Sequence, residues 1–227
     1  MKYDKFIAPI FVHMQIEDNR VRDSFVGNGF YIDNYFITAA HVIVNNQNVN
    51  AQSNPFIIID GKEIELTKER ADLWKSLRSN ENGNPIEHEN SDLGDVAIFR
   101  YPGVKSELVL SKNLPKYGET LQCYFLHTEK PKAGIQYTTK VIGSISLYDW
   151  ETSGQVHEKD GFLGNFYGAT MQPEHPTGGG SSGSPLMKGN VVYGILHAGD
   201  PLDKDENLFH PEICVFFAAS AALQLLR

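Results

Sequence analysis

Apolar residues come in short runs along this chain, and turn-forming residues cut them off. Residues 6–12, Phe-Ile-Ala-Pro-Ile-Phe-Val, predict a first strand. Pro9 sets it at an edge or a bulge, because proline has no N–H to give a ladder. Residues 25–32 and 35–38 predict a hairpin turning through Asp33-Asn34. Residues 56–59 predict a strand stopped by Asp60-Gly61, and Glu63-Ile64-Glu65-Leu66 alternates as a half-exposed strand does. Residues 67–91 break the pattern: they are polar, with Trp74 and Leu77 as bulky anchors, and predict a surface loop with one helical turn at 72–77. A strand at 95–99 ends at Pro102-Gly103, and residues 103–119 read as the connection between two halves. Further strands are predicted at 120–126, 136–147, 191–196 and 213–217, with a glycine-rich segment at 150–168 and a charged loop at 200–207. Ser220 is a fair N-cap for a closing helix, 221–226. Many short strands and one terminal helix predict an all-β barrel architecture.

At 227 residues the chain fits one large all-β domain or two small barrels sharing an interface. A net charge of −8 argues against a nucleic-acid partner, which favours a basic surplus. No apolar run approaches the length of a membrane span, so no membrane partner is expected. Met1-Lys2-Tyr3-Asp4-Lys5 lacks the apolar core of a secretory signal, and the expected location is the cytoplasm. Cys123 and Cys214 read as two buried thiols in a reducing compartment, with a single bridge left open. His13, His88, His127, His157, His175 and His210 show no metal-ligand spacing, so neither metal nor cofactor is expected.

Candidate chemistry centres on Thr177-Gly178-Gly179-Gly180-Ser181-Ser182-Gly183-Ser184-Pro185-Leu186. Alone, this run reads more readily as a flexible surface loop or linker than as a nucleophile loop. Backed by the apolar strand that follows, it is also what a serine nucleophile needs: a tight turn that projects a hydroxyl and presents backbone N–H groups. His41 follows an apolar strand as Thr38-Ala39-Ala40-His41, and Asp95 heads another as Asp-Val-Ala-Ile. A carboxylate opening a buried strand calls for a partner. Histidine, acid and serine in that order fit a general base, an orienting acid and a nucleophile. His41 as a core histidine, Asp92 as the acid, and Ser181 or Ser184 as the nucleophile remain open as alternatives.

Those three segments, with Gly27-Asn28-Gly29-Phe30 ahead of the histidine, resemble the trypsin-like (chymotrypsin-fold) serine peptidases over residues 5–225. The resemblance implies two six-stranded antiparallel β-barrels and a short C-terminal helix. Residues 1–110 would carry His41 and Asp95, and residues 111–227 would carry Ser182 and the specificity pocket. It implies a Ser182–His41–Asp95 triad, an oxyanion hole from the backbone N–H groups of Gly180 and Ser182, and an acyl-enzyme on the way to peptide hydrolysis.

Ser181 stands where digestive members carry the aspartate that captures a new N-terminus, and no cysteine lies beside His41. Both features are more like the bacterial, HtrA-like, glutamyl-endopeptidase-like or viral branches; with no chain after Arg227 for a PDZ domain, an HtrA protein proper is not expected. By the same resemblance His175, Pro176, Thr177, Leu196, His197, Ala198 and Gly199 border the substrate pocket, with Thr177, Pro176, His197 and Gly199 as the substrate-binding set. No acid marks a basic-specific pocket floor, which leaves small, apolar or Glu/Gln side chains at the cleavage site. The expectation is a serine endopeptidase acting on a protein or peptide substrate, with room for a regulatory protein partner or effector. The alternative is a latent protease-fold binding module whose glycine-rich loop at 178–180 stays out of working geometry until something orders it. An esterase using the same groups is the third reading. The absence of a G-x-S-x-G elbow and of βαβ patterning disfavours an α/β-hydrolase.

Overall fold

In the computed structural model the described residues are 4–16, 20–44, 53–75, 94–102, 105–127, 130–144, 166–171, 180–199 and 213–226. They form fourteen strands and two short α-helices. The first sheet holds β1 (Ile7–Gln15), β2 (Val21–Ile32), β3 (Tyr35–Thr38), β4 (Phe56–Ile59), β5 (Lys62–Glu65), β6 (Leu73–Lys75) and β7 (Val96–Arg100), in the order β5-β4-β1-β2-β3-β7-β6. The second holds β8 (Val109–Leu110), β9 (Thr120–His127), β10 (Lys130–Ser144), β11 (Phe166–Met171), β12 (Pro185–Lys188), β13 (Val191–Gly199) and β14 (Ile213–Ala218). Its order is β12-β9-β10-β11-β14-β13-β8, and an added β12–β13 pairing closes six of these strands into an antiparallel barrel. The expected all-β architecture of two barrel-like sheets with a short C-terminal helix is the one observed, although among the described residues no pairing joins the two ends of the first sheet.

Each sheet nevertheless has one strand more than the six expected. β6 lies where a helical turn was read at 72–77: Leu73, Trp74 and Lys75 pair with Ile98, Ala97 and Val96 on the edge of β7. β8 lies inside the stretch read as a connection and pairs in parallel with β13. β11 begins within the segment read as glycine-rich, and β12 within the serine loop. Pro9 is not on an edge strand, because β1 lies between β4 and β2, but a bulge follows it at Ile10/Phe11.

Turn residues set the hairpins. Asp33 takes φ 46° between β2 and β3, and Asp60 and Gly61 take φ 50° and 74° between β4 and β5. The left-handed region suits Asp, Asn and Gly, the residue types the sequence places there. The two cores join into one apolar cluster, with Phe30, Phe36 and Ile98 from the first sheet and Tyr167, Phe216 and Phe217 from the second. Each such buried side chain contributes about 1.5–3 kcal/mol of hydrophobic stabilisation. Cys123 and Cys214 are both buried thiols. The chain closes on α2 (Ala219–Leu225), capped at Ala218 without a side-chain bond, so Ser220 does not serve as the expected N-cap. Among the described residues no helix is long and apolar enough to cross a membrane.

Candidate active site

Strand pairing builds the site from two sides. In the first sheet Thr38 at the end of β3 is opposite Ala97 near the start of β7. The chain leaving β3 therefore runs past the chain entering β7. Ala40–Val44 forms a single turn of helix, α1, with His41 as its second residue, and Asp95 directly precedes β7. The Asp95 carboxylate accepts the His41 backbone N–H on Oδ1 at 2.9 Å and contacts His41 Nδ1 through Oδ2 at 2.6 Å. Its side chain is 1% exposed, against 12% for His41.

In the second sheet Pro185 of β12 pairs with Ile195 of β13, which sets residues 180–184 beside Leu196 and His197. Gly183 N–H donates to the Leu196 carbonyl and Leu196 N–H to the Ser184 carbonyl, each at 2.8 Å. Gly180 and Gly183 adopt φ 102° and 84°, the conformation that favours glycine. A Cβ on Gly183 would overlap the Asn28 carbonyl oxygen and Thr38 Oγ1, and one on Gly180 would overlap the Phe25 ring. Glycine is therefore required twice here, once for φ and once for the fit of this loop onto β2.

His197 joins the two sides. Its Nδ1 bonds to the same Asp95 Oδ2 that His41 uses, and its ring lies edge-on both to His41 at 5.3 Å between centroids and to Phe166 at 5.5 Å. Burial alone would raise the Asp95 pKa. The neighbouring His41 and His197 charges and their two ring N–H bonds outweigh it and hold the carboxyl far below the usual carboxylate range. An ionised carboxylate only accepts, so both imidazoles carry their proton on Nδ1. In neutral His41 that leaves the Nε2 lone pair as the acceptor.

The Ser182 hydroxyl donates to the His197 carbonyl at 3.4 Å, and among the described residues it is not hydrogen-bonded to His41. Ser184 is fully buried and its hydroxyl, like its N–H, donates to the Ser181 carbonyl, while Ser181 is 8% exposed. Of the three serines in the loop, Ser182 is the partly exposed one.

Among the described residues His41, Asp95 and His197 are also the group whose donor atoms could hold a metal ion. The His41 contact of 2.6 Å is a hydrogen-bond length, well inside the ~3.4 Å between neighbouring ligands of a tetrahedral zinc ion. The carboxylate is thus held by three N–H donors, the His41 backbone and the two imidazoles.

The expected groups His41, Asp95 and Ser182 come to one junction between the sheets. Gly180 lies in the same loop, and Gly199 ends β13 opposite Cys214. Pro176, Thr177 and Asp92 lie outside the described residues, as does His175. His197, read as a pocket residue, has its ring on Asp95. Sequence reasoning treated Asn28 as part of a glycine-rich turn, yet it is buried against the serine loop. A polar side chain between two glycines ahead of a buried Phe was the signal available.

No family model and no curated protein sequence matches this chain. Its fold is similar to many solved structures. Kallikrein-related peptidase 10 is 14% identical over 98% of this chain and 94% of that one, at TM-score 0.57. Neuropsin, a serine protease expressed in the limbic system of mouse brain, is 15% identical over 97% and 92%, at 0.58. The inactive form of the Rv3671c protease, a protein of M. tuberculosis H37Rv, is 17% identical over 99% and 89%, at 0.55. The fold is therefore that of the chymotrypsin-like serine proteases.

Proposed function

We propose that this protein is a serine endopeptidase in which Ser182, His41 and Asp95 act as nucleophile, general base and orienting acid. The observation that carries the reading is the buried, ionised Asp95 holding His41 by its Nδ1–H at 2.6 Å, beside a glycine-bounded loop that presents Ser182.

In the reaction, Ser182 Oγ turns from the His197 carbonyl and gives its proton to His41 Nε2 as the Oγ–C bond to the scissile carbonyl forms. Asp95 stabilises the resulting imidazolium. The developing oxyanion is received by the N–H groups of Gly180 and Ser182; one such donor contributes about 3–4 kcal/mol in other hydrolases of this chemistry. His41 then returns the proton to the leaving amine as the C–N bond breaks. Water, deprotonated by His41, attacks the acyl ester and restores Ser182.

The substrate is a protein or peptide. The residue at the cleavage site is small, apolar or Glu/Gln, and the resemblance to bacterial HtrA-like and glutamyl-endopeptidase-like branches supports that choice. The location is cytoplasmic, and the reaction needs no cofactor.

A second reading has one observation behind it: the Ser182 hydroxyl rests on the His197 carbonyl. On that reading the protein is latent, and a regulatory partner or effector turns the hydroxyl toward His41.

Hydrolysis of a peptide library by wild type, Ser182→Ala and His41→Ala separates the readings. Cleavage by wild type, lost in both variants, supports the peptidase. A well-folded wild type that cleaves nothing overturns it in favour of the latent form.

A further inference from the structure

Asn28 is 0% exposed and makes five hydrogen bonds within the described residues. Pro9 stands opposite it on β1 and has no N–H to offer. The Asn28 carbonyl instead accepts the Thr38 hydroxyl at 2.6 Å, and its backbone N–H donates to the Ser182 carbonyl at 2.8 Å. The side chain extends this clasp. Nδ2 donates to the Gly180 carbonyl at 2.8 Å and to the Leu126 carbonyl at 3.2 Å, while Oδ1 accepts the Leu126 N–H at 3.0 Å. These side-chain bonds close separations of 98 and 152 residues. The amide orientation is fixed by its surroundings, since a flipped Asn would turn its oxygen onto two carbonyls and its NH2 group onto the Leu126 N–H.

From this we propose that Asn28 is the positioning residue of the nucleophile loop, coupling the docking of the two sheets to the orientation of the loop amides. The proposal rests on the peptidase reading above and deepens it.

A trans peptide points its C=O and N–H to opposite sides. Asn28 holds the Ser182 carbonyl toward β2, so the Gly183 N–H of the same peptide turns away, and it is found on the Leu196 carbonyl. Asn28 also holds the Gly180 carbonyl toward β2. Between these two anchors the Ser181 carbonyl faces Ser184, and the Ser182 N–H of that peptide points the other way. Replacing the Asn28 side chain removes the Gly180 anchor and keeps the Ser182 one, whose donor is backbone; the Gly180–Ser181 peptide is then free to rotate, the loop opens more readily, and the Ser182 N–H loses its fixed direction. An oxyanion donor works by being set beforehand, so the loss falls on the transition state and not on substrate binding.

The test compares wild type with Asn28→Ala, and with Asn28→Ser, whose hydroxyl is too short to bridge both sheets, as the milder variant should Asn28→Ala not fold. In the folded variant kcat drops by roughly 10- to 100-fold, up to the loss of one whole oxyanion donor, with KM unchanged. The 31P resonance of the diisopropylphosphoryl adduct on Ser182 moves toward its position in the denatured adduct. Independently of any activity, the Gly183 amide exchanges at least roughly 10-fold faster while Val192 and Ile195 on β13 keep their protection. A folded variant with wild-type kcat and unchanged Gly183 exchange overturns the proposal. If wild type neither cleaves peptides nor takes the phosphoryl group, the peptidase reading fails, and Gly183 exchange still decides whether Asn28 holds the loop.

Discussion

Gly183→Ala tests the seating of the serine loop on the first sheet, and Gly189→Ala supplies its control. Both glycines have positive φ, 84° and 61°. A side chain in that region costs about 1–2 kcal/mol at either position. They differ in what a Cβ would meet. Nothing lies within 4 Å of one on Gly189, whereas one on Gly183 would overlap the Asn28 carbonyl and Thr38 Oγ1, neither of which is the far end of a flexible side chain. Forced overpacking of that kind adds roughly 1–3 kcal/mol. Gly183→Ala is therefore expected to lose about 2–5 kcal/mol and Gly189→Ala about 1–2. In a domain of this size each kcal/mol lowers Tm by roughly 2–4 °C. Thermal and denaturant unfolding of the three proteins would show Gly183→Ala melting well below Gly189→Ala, and its Ser182 slower to react. Equal melting of the two variants would refute the loop placement, since the backbone term alone would then account for both.

Three further outcomes follow from the same geometry. Asp95→Asn keeps the shape of the buried group but loses its charge, and kcat should fall about 10⁴-fold, as when the acid of such a set becomes an amide; a loss under tenfold would remove Asp95 from the chemistry. His197→Leu takes one N–H donor from a buried carboxylate, worth roughly 1.5–3 kcal/mol, so kcat should fall about 10- to 100-fold with KM unchanged. A raised KM at constant kcat would return His197 to the substrate pocket. On the surface, His13 bonds to Asp23 at 2.9 Å and Glu63 at 3.2 Å across β1, β2 and β5. Partial burial opposes its charge, but the Glu63 and Asp23 bonds and charges prevail and raise its pKa above 6.5. Its contribution is thus fully present below the unfolded value and lost as pH rises through the folded one. Unfolding free energies should show His13→Gln more destabilising at pH 6 than at pH 8.5, and an equal effect at both would contradict the clasp.

Where local chemistry decides an element, the sequence was legible. β3 and β4 begin and end where apolar runs meet Asp33-Asn34 and Asp60-Gly61, because those turns are encoded by residues that tolerate positive φ. Where a distant strand decides, it was not. Leu73 and Trp74, with Leu77, suggest a helical turn, yet the open edge of β7 draws Leu73–Lys75 into a strand. β8 has two residues and exists through its parallel contact with β13, 82 positions later. His41, Asp95 and Ser182 could be picked out because each sits in a local motif. The roles of His197 and Asn28 could not, since their partners lie 102, 98 and 152 residues away and are brought near by sheet pairing alone.

An activated Ser182 nucleophile should take up a fluorophosphonate, and intact-mass analysis after treatment reads that adduct. A single phosphonyl adduct is expected on wild type and none on Ser182→Ala or His41→Ala. No adduct on a folded wild type, or an adduct that survives Ser182→Ala, would contradict that expectation.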